Sequence, residues 1–458
     1  MTQAAAIDRS MFRAYDIRGV VGRELTGSVV HRIGMAVGTI LKRGGAKLVV
    51  CGHDVRPSSC EYQSAMIEGL CSTGLDVTDI GLVPTPVMYF SVKHFHTDGG
   101  IMITASHNPP EFNGIKVRRG TLPLVSEDLQ KVASLAIGGD FETGAGTSRK
   151  DDAVQPYIRT VTGKFRLGGG PRVVADCGNG CAGLVAPQVL SGIGCDVIPL
   201  FSEPDGTFPN HHPDPMKEAN LTQVKEAVRA NRADLGFSYD GDADRLGIVD
   251  DEGNTITPNE FLALLARERL PKNPGANVVF EVKVSQMLIE EVERLGGHLI
   301  MTRVGYPFIL AAMREHEAIF GGEMSGHYYF DDPEIDFDDG TFTSAQLVEM
   351  LSRQSRPFSA LVRELPSYPS TPEITVHCPD ERKFALVEEL RQEFAREHRV
   401  IDIDGARVMF GDGWGVVRAS NTEPRLTLRF EAQSEGALER IKERFRLALR
   451  GKGLEPTF

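Results

Sequence analysis

The sequence predicts an α/β protein: three repeated mixed α/β domains plus a small C-terminal α+β domain around a central cleft. Three observations carry this. Short β-branched runs of the buried kind open three segments: KLVVCG (residues 47–52), PRVVADCG (171–178) and NVVFEV (277–282). Each is followed by a helical pattern and then by a second, glycine-led strand: GLDVTDIG from Gly74, GCDVIPLF from Gly194 and GGHLIMTRVG from Gly296. Beyond the proline-rich stretch LPSYPSTP (365–372) the pattern changes.

Each repeat continues into a third apolar segment that ends in an unusual loop. These are GGIMITASHNP from Gly99, ADLGFSYDGDADR from Ala233 and AIFGGEMSGH from Ala318. Strand–helix–strand–helix–strand units imply layered domains on mainly parallel sheets. In such sheets ligands bind at the loops beyond strand ends, so each repeat delivers one loop to a shared site. Breaker-rich stretches at 137–150, 270–276 and 365–372 read as linkers, the last as a hinge. The expected domains are 1–150, 151–252, 253–366 and 367–458. The last holds an amphipathic segment at 381–398, a strand through Leu426–Phe430 and a closing helix near 435–449.

Composition narrows the function. A chain of 458 residues needs about three or four domains at roughly 100–200 residues each. A net charge of −13 argues against nucleic acid, which needs a basic face. No apolar run is long enough for a membrane span, and the N-terminal residues lack an apolar signal region. The seven cysteines are scattered with no CxxC pair, as expected of reduced thiols in the cytoplasm.

DGDADR (240–245) carries the most specific chemistry. Asp240, Asp242 and Asp244 alternate in a tight loop and repel one another unless a cation joins them. Hard oxygen ligands suit Mg²⁺ or Ca²⁺. An EF-hand is excluded because its sixth position needs glycine and here holds Arg245, and because LGFSYD before it reads as a strand. A cation with an arginine alongside points to phosphate chemistry.

In ITASHNPPEFNGIK (103–116) Ser106 lacks the G-x-S-x-G frame of a hydrolase elbow. The paired prolines hold the loop open, so Ser106 can present its oxygen to the cation of the next repeat. In GGEMSGH (321–327), Glu323 and Ser325 offer acceptors for vicinal sugar hydroxyls, and His327 can donate to a phosphate or move a proton. In RASNTEPRLTLR (418–429), Arg418, Ser420, Asn421 and Thr422 gather donors around one turn, a phosphate cradle. Taken singly, the first and third loops read better as ordinary turns, and the fourth reads equally well as one.

Together, and with FRAYDIRG (12–19), these loops resemble the α-D-phosphohexomutase family across essentially the whole chain and in the family's order. The resemblance implies that phosphorylated Ser106 is held against Mg²⁺ with Asp240, Asp242 and Asp244. It would donate its phosphoryl group to a hexose phosphate, pass through a hexose 1,6-bisphosphate, and take back the other phosphate. That converts the 1-phosphates and 6-phosphates of mannose and glucose. Arg18, Lys116 and His327 fall near the transferred group as catalytic residues. Arg245 offsets developing charge, and His107 orients the loop or contacts phosphate. The phosphate cradle grips the other end of the substrate with Tyr15, while Lys283 and Tyr306 complete the substrate-binding set. Phosphorylated hexoses are then the partners of a cytoplasmic monomer or weak dimer.

The sequence departs from the family's pattern at two places. TRVGYP puts Tyr306 where histidine is frequent, so that position cannot carry positive charge. Gly52-His53-Asp54 replaces glycine-arginine-aspartate, with Arg56 close by. Met324 stands where phosphoglucosamine mutases tend to carry glutamine, which favours hexoses without an amino group. A phosphoglucosamine mutase is the nearest rival. A phosphatase or a non-catalytic sugar-phosphate sensor would be a different class, and a sensor need keep neither Ser106 nor the three aspartates.

Overall fold

The computed structural model describes residues 7–167, 169–420, 424–456 and 458. By internal packing the chain divides into two compact units. One comprises Met1–Ile256 with Ser325–Ala360, the other Thr257–Met324 with Leu361–Phe458.

In the first unit, one sheet runs in the order Ile17–Val20, Phe112–Arg119, Gly99–Ile103, Leu48–His53, Asp76–Leu82, Ser148–Lys150. The four from Gly99–Ile103 to Ser148–Lys150 are parallel; Phe112–Arg119 is antiparallel to both its neighbours. A second sheet runs Thr255–Ile256, Leu246–Asp250, Leu235–Tyr239, Arg172–Asp176, Asp196–Leu200, parallel at the last three and antiparallel before them. In the second unit, Phe320–Gly322, Asn277–Glu281 and His298–Thr302 line up in parallel. All three repeats therefore set their first strand between the third and the second.

The sheets are mixed rather than mainly parallel. The third strand of the first two repeats turns back on itself in an antiparallel hairpin, and the functional loop is the turn. Residues 137–150 were expected to be a linker, yet Ser148–Lys150 forms an edge strand beside Asp76–Leu82. The open edge of a parallel sheet leaves backbone groups unpaired, and this segment satisfies them.

The C-terminal sheet is antiparallel throughout: Ile374–His377, Arg425–Ala432, Gly413–Ala419, Ala406–Phe410, Arg399–Ile401. Helices Asp380–Phe394 and Glu435–Gly451 cover it, with Leu390, Phe394, Phe430 and Phe445 in its core. The proline-rich stretch is strapped to this sheet. Thr371 N donates to Phe430 O (2.9 Å) and Ala432 N to Pro369 O (3.0 Å).

Helix Pro258–Arg269 starts on a capping box between Thr257 and Glu260. It is tied to helix Gln286–Arg294 through Glu291, which accepts from Arg267 (2.9 Å) and Arg294 (2.8 Å). Those guanidinium bonds hold the Glu291 carboxyl down at about 2. A carboxyl depressed by folding stabilises fully above its ordinary value near 4.5, and that contribution is lost as pH falls through about 2. Glu291→Gln is therefore expected to cost about 1–3 kcal/mol at pH 7. Urea midpoints measured from pH 7 to pH 3 should show the gap to the unsubstituted protein narrowing below about pH 4.5; a constant gap contradicts the pairing.

Candidate active site

Ser106 lies at the tip of the first hairpin, only 2 % exposed and with a left-handed backbone (φ +50°). A non-glycine residue holds that conformation only where its surroundings enforce it. Arg56 does so. Its guanidinium donates to the carbonyls of Ser106 (2.8 Å), Asn108 (2.5 Å), Pro109 (2.7 Å) and Phe112 (3.0 Å), and is itself paired with Asp54 (3.2 Å). Arg18 adds donors to Ala105 O (3.3 Å) and Asn108 Oδ1, and pairs with Asp16 (2.7 Å). Tyr15, half-buried, lies near Arg18.

The second hairpin brings the aspartate loop to this serine. Ser106 Oγ donates to Asp240 Oδ2 at 2.6 Å, and His107 Nδ1 lies 3.1 Å from the same hydroxyl. A Cβ at Gly241 would stand 2.6 Å from Ser106 O, so glycine alone permits this approach. Burial, with Arg245 and Arg18 nearby, holds the His107 imidazole well below its ordinary pKa. It is neutral and suited to support.

Asp240, Asp242 and Asp244 are all buried and place one oxygen each within 4.8 Å of one another. They face different partners. Asp240 Oδ1 accepts from Arg245 N (3.1 Å). Asp242 Oδ2 accepts from Thr85 Oγ1 (2.7 Å) and lies 3.1 Å from Lys116 Nζ. Asp244 Oδ2 takes Lys116 at 2.5 Å, and its Oδ1 lies 3.3 Å from His327 Nε2. Burial together with Asp244 and Asp242 pushes the Asp240 carboxyl well above the usual range. Burial opposes the charge on Asp244, but Lys116 and His327 outweigh it and hold that carboxyl well below. Burial likewise opposes the Lys116 charge, and Asp242 with Asp244 overrides it, so Lys116 stays an ammonium.

The triad fits a hard divalent cation. Its donors are all oxygens, and Asp242 Oδ1 is buried with no hydrogen-bond partner among the described residues. His327 sits beside the triad, with Nδ1 2.9 Å from Ser325 Oγ and Nε2 3.4 Å from Arg245 Nε. Asp338, fully buried, reaches within 3.8 Å of His327, and burial with Asp244 close by pushes it up to about 6.

The structure thus gathers Arg18, Ser106, His107, Lys116, Asp240, Asp242, Asp244, Arg245, Ser325 and His327 in one unit. Tyr15 lies in the same unit, and the other unit holds the remaining substrate-binding candidates. Glu323, 2 % exposed, accepts from Gly305 N (2.7 Å) just ahead of Tyr306, which starts helix Tyr306–Glu315. Lys283 is buried and paired with Glu373 (2.6 Å); burial opposes its charge, and Glu281 with Glu373 restores and raises it. Arg418 pairs with Asp404 (2.9 Å), and Ser420 N donates to Arg425 O (2.9 Å). Asn421 and Thr422 lie outside the described residues.

Thr85 and Asp338 join the site without having been singled out in the sequence, and Arg56, noted only as a neighbour, is the pillar of the serine loop. No helix among the described residues is long and apolar enough to cross a membrane.

Repeated α/β layers with a buried serine set against an acidic triad define a multidomain enzyme of the α/β class. Family models for phosphoglucomutase/phosphomannomutase match along the chain. The alpha/beta/alpha domains I, II and III match residues 9–142, 155–253 and 257–368, and the C-terminal domain residues 373–448. The chain is 41 % identical over 449 residues to a phosphomannomutase/phosphoglucomutase of Pseudomonas aeruginosa, covering 98 % of this chain and 97 % of that one. It is 39 % identical to a phosphoglucomutase of Neisseria gonorrhoeae, with 97 % and 98 % covered. A crystal structure of a phosphoglucomutase/phosphomannomutase family protein from Burkholderia thailandensis superposes with a TM-score of 0.93 at 39 % identity, covering 99 % of this chain and 100 % of that one. The chain belongs to the phosphoglucomutase/phosphomannomutase family.

Proposed function

We propose that the protein interconverts the 1-phosphates and 6-phosphates of mannose and glucose through a phosphoserine at Ser106 and a hexose 1,6-bisphosphate. The observation that carries this reading is the 2.6 Å bond from Ser106 Oγ to Asp240 within a buried triad of oxygen donors. Phosphoryl transfer needs positioning and charge neutralisation more than covalent chemistry. Asp240, Asp242, Asp244 and Ser106 would hold Mg²⁺, which supplies positive charge against the phosphoryl oxygens.

The chain's own groups do the rest. Arg56 and Arg18 fix the serine loop. Arg245 faces the phosphoryl group as it moves, with neutral His107 supporting the serine. A proton leaves the attacking sugar hydroxyl and returns on the reverse transfer; His327, Lys116 and Arg18 are the groups at hand. His327 is the better acceptor, since Lys116 is held as an ammonium by two carboxylates. Glu323 and Ser325 bind the sugar hydroxyls that glucose and mannose share. Arg418, Ser420, Asn421 and Thr422, with Tyr15, Lys283 and Tyr306, take the phosphate that does not react. The division into 1–150, 151–252, 253–366 and 367–458 assigns the serine, metal, sugar and phosphate roles to one domain each. Seven free thiols suit a reducing cytoplasm, where the enzyme acts as a monomer or weak dimer.

Sugar specificity tests the reading directly. The kcat/KM values for mannose 1-phosphate and glucose 1-phosphate are expected to agree within about tenfold. Glucosamine 1-phosphate should fall below them by roughly 10–200-fold, the scale of a single misplaced group in a pocket. A preference for glucosamine 1-phosphate overturns the assignment in favour of the amino-sugar mutase.

A further inference from the structure

The segment 203–216, EPDGTFPNHHPDPM, follows the strand Asp196–Leu200 and has no part in the chemistry above. It nevertheless meets the Arg56 turn, the aspartate loop and the His327 turn that surround Ser106. At Gly206 a Cβ would stand 2.2 Å from Val55 O and 2.6 Å from Arg56 Cα, so this residue is pressed onto the turn that carries the pillar of the serine loop. The Arg56 guanidinium lies 5.6 Å from the centroid of the Phe208 ring, whose Cζ would be 3.6 Å from a Cβ on Gly241. Phe208 itself is buried with φ +50°, a conformation that packing enforces. His212 faces the backbone of His107. Asp214, 6 % exposed, faces Arg245, and the Met216 thioether covers Gly326 next to His327.

The segment is anchored at one buried pair. His211 Nε2 lies 3.0 and 3.1 Å from the two oxygens of Asp176, and Nδ1 lies 3.0 Å from His212 O. A carboxylate and a carbonyl only accept, so both ring nitrogens donate and His211 is an imidazolium. Asn210 and Asn179 add a second tie (2.7 Å), and Asn179 also holds the backbone of Glu203 and Asp205 (2.9 and 2.8 Å).

We propose that residues 203–216 form a strap that keeps water from the phosphoryl group on Ser106, with Phe208 as its cover and the His211–Asp176 pair as its latch. The proposal rests on the reading of Ser106 as the phosphate carrier. The reaction to be suppressed is hydrolysis: the Oγ–P bond breaks, a water oxygen bonds to phosphorus, and a water proton passes to Oγ, giving serine and inorganic phosphate. An enzyme that moves phosphoryl groups between sugar hydroxyls works only if this side reaction is slow. His211 and Phe208 touch no reacting atom and act as positioning residues.

The test follows the phosphoenzyme. Protein loaded with hexose 1,6-bisphosphate and freed of it is monitored by intact mass, and released inorganic phosphate is counted. In Phe208→Ala and His211→Ala the half-life of the Ser106 phosphate should shorten by roughly tenfold or more, with phosphate release to match and KM for glucose 1-phosphate within about threefold. His211→Gln, which keeps one donated bond, should fall between. Half-lives equal to that of the unsubstituted protein in either folded variant overturn the strap; if His211→Ala fails to fold, Phe208→Ala decides alone. An unsubstituted protein that never acquires phosphate on Ser106 instead overturns the phosphoserine reading, and the strap with it.

Discussion

Ser106→Ala is expected to lower mutase turnover by about 10⁴-fold or more, the scale of losing the group on which a covalent mechanism turns. The fold should survive the change. The loop is held through main-chain carbonyls by Arg56, and none of those four bonds involves the serine hydroxyl. Alanine is no more strained than serine at φ +50°. Only the Oγ contacts to Asp240 and His107 disappear. Mass spectrometry of active protein should find the phosphate on the peptide that contains residues 103–116, and the variant should carry none. Full activity in a folded Ser106→Ala protein, with bisphosphate supplied or not, removes Ser106 from the mechanism.

Asp240→Asn should separate function from stability. The amide is nearly isosteric and preserves both contacts: its oxygen accepts from Arg245 N as before, and its NH₂ donates to Ser106 Oγ, which then donates to His107. The variant removes one of three buried like charges. Without divalent cation it should melt at the same temperature as the unsubstituted protein or a few degrees higher, by the ~1–2 kcal/mol that relief of such repulsion is worth. Activity should fall by about 10³-fold. Mg²⁺ should raise the melting temperature of the unsubstituted protein and leave that of the variant nearly unchanged. A variant that melts well below the unsubstituted protein without cation would show that Asp240 serves the fold rather than a cation.

The legible part of the molecule was its periodic part. Glycine-led β-branched runs mark strands whatever they pack against, and their recurrence exposed the repeat before any contact was known. The alternation of Asp240, Asp242 and Asp244 was legible for the same reason. Their division of labour was not. Ala243 sits at φ +64°, and the tight turn it makes sends Asp240 toward Ser106 and Asp244 toward Lys116 and His327. Alternation in sequence cannot express that. Thr85 and Asp338 join the site only through tertiary packing, Thr85 against Asp242 157 residues away and Asp338 beside His327, and no local pattern marks them. The segment 203–216 reads as a loop because proline, glycine and asparagine fill it. Composition says where such a loop bends, not what it covers. The edge strand Ser148–Lys150 was hidden for a related reason: three exposed polar residues carry no strand signal of their own, and the neighbouring strand supplies the reason to pair.

The three signature loops occupy one topological position. Each follows the third strand of its repeat: after Gly99–Ile103, after Leu235–Tyr239 and after Phe320–Gly322. Each ends where another strand begins, at Phe112, Leu246 and Tyr328. Duplication of one ancestral unit would therefore have yielded three equivalent apertures, each framed by rigid strands and free to change without disturbing the scaffold. A serine carrier, a carboxylate cluster and a histidine-bearing turn are then divergent fillings of one frame. This makes the loops natural units for exchange between homologous enzymes: swapping residues 323–325 alone, with His327 kept, should redirect sugar choice while leaving the chemistry at Ser106 in place.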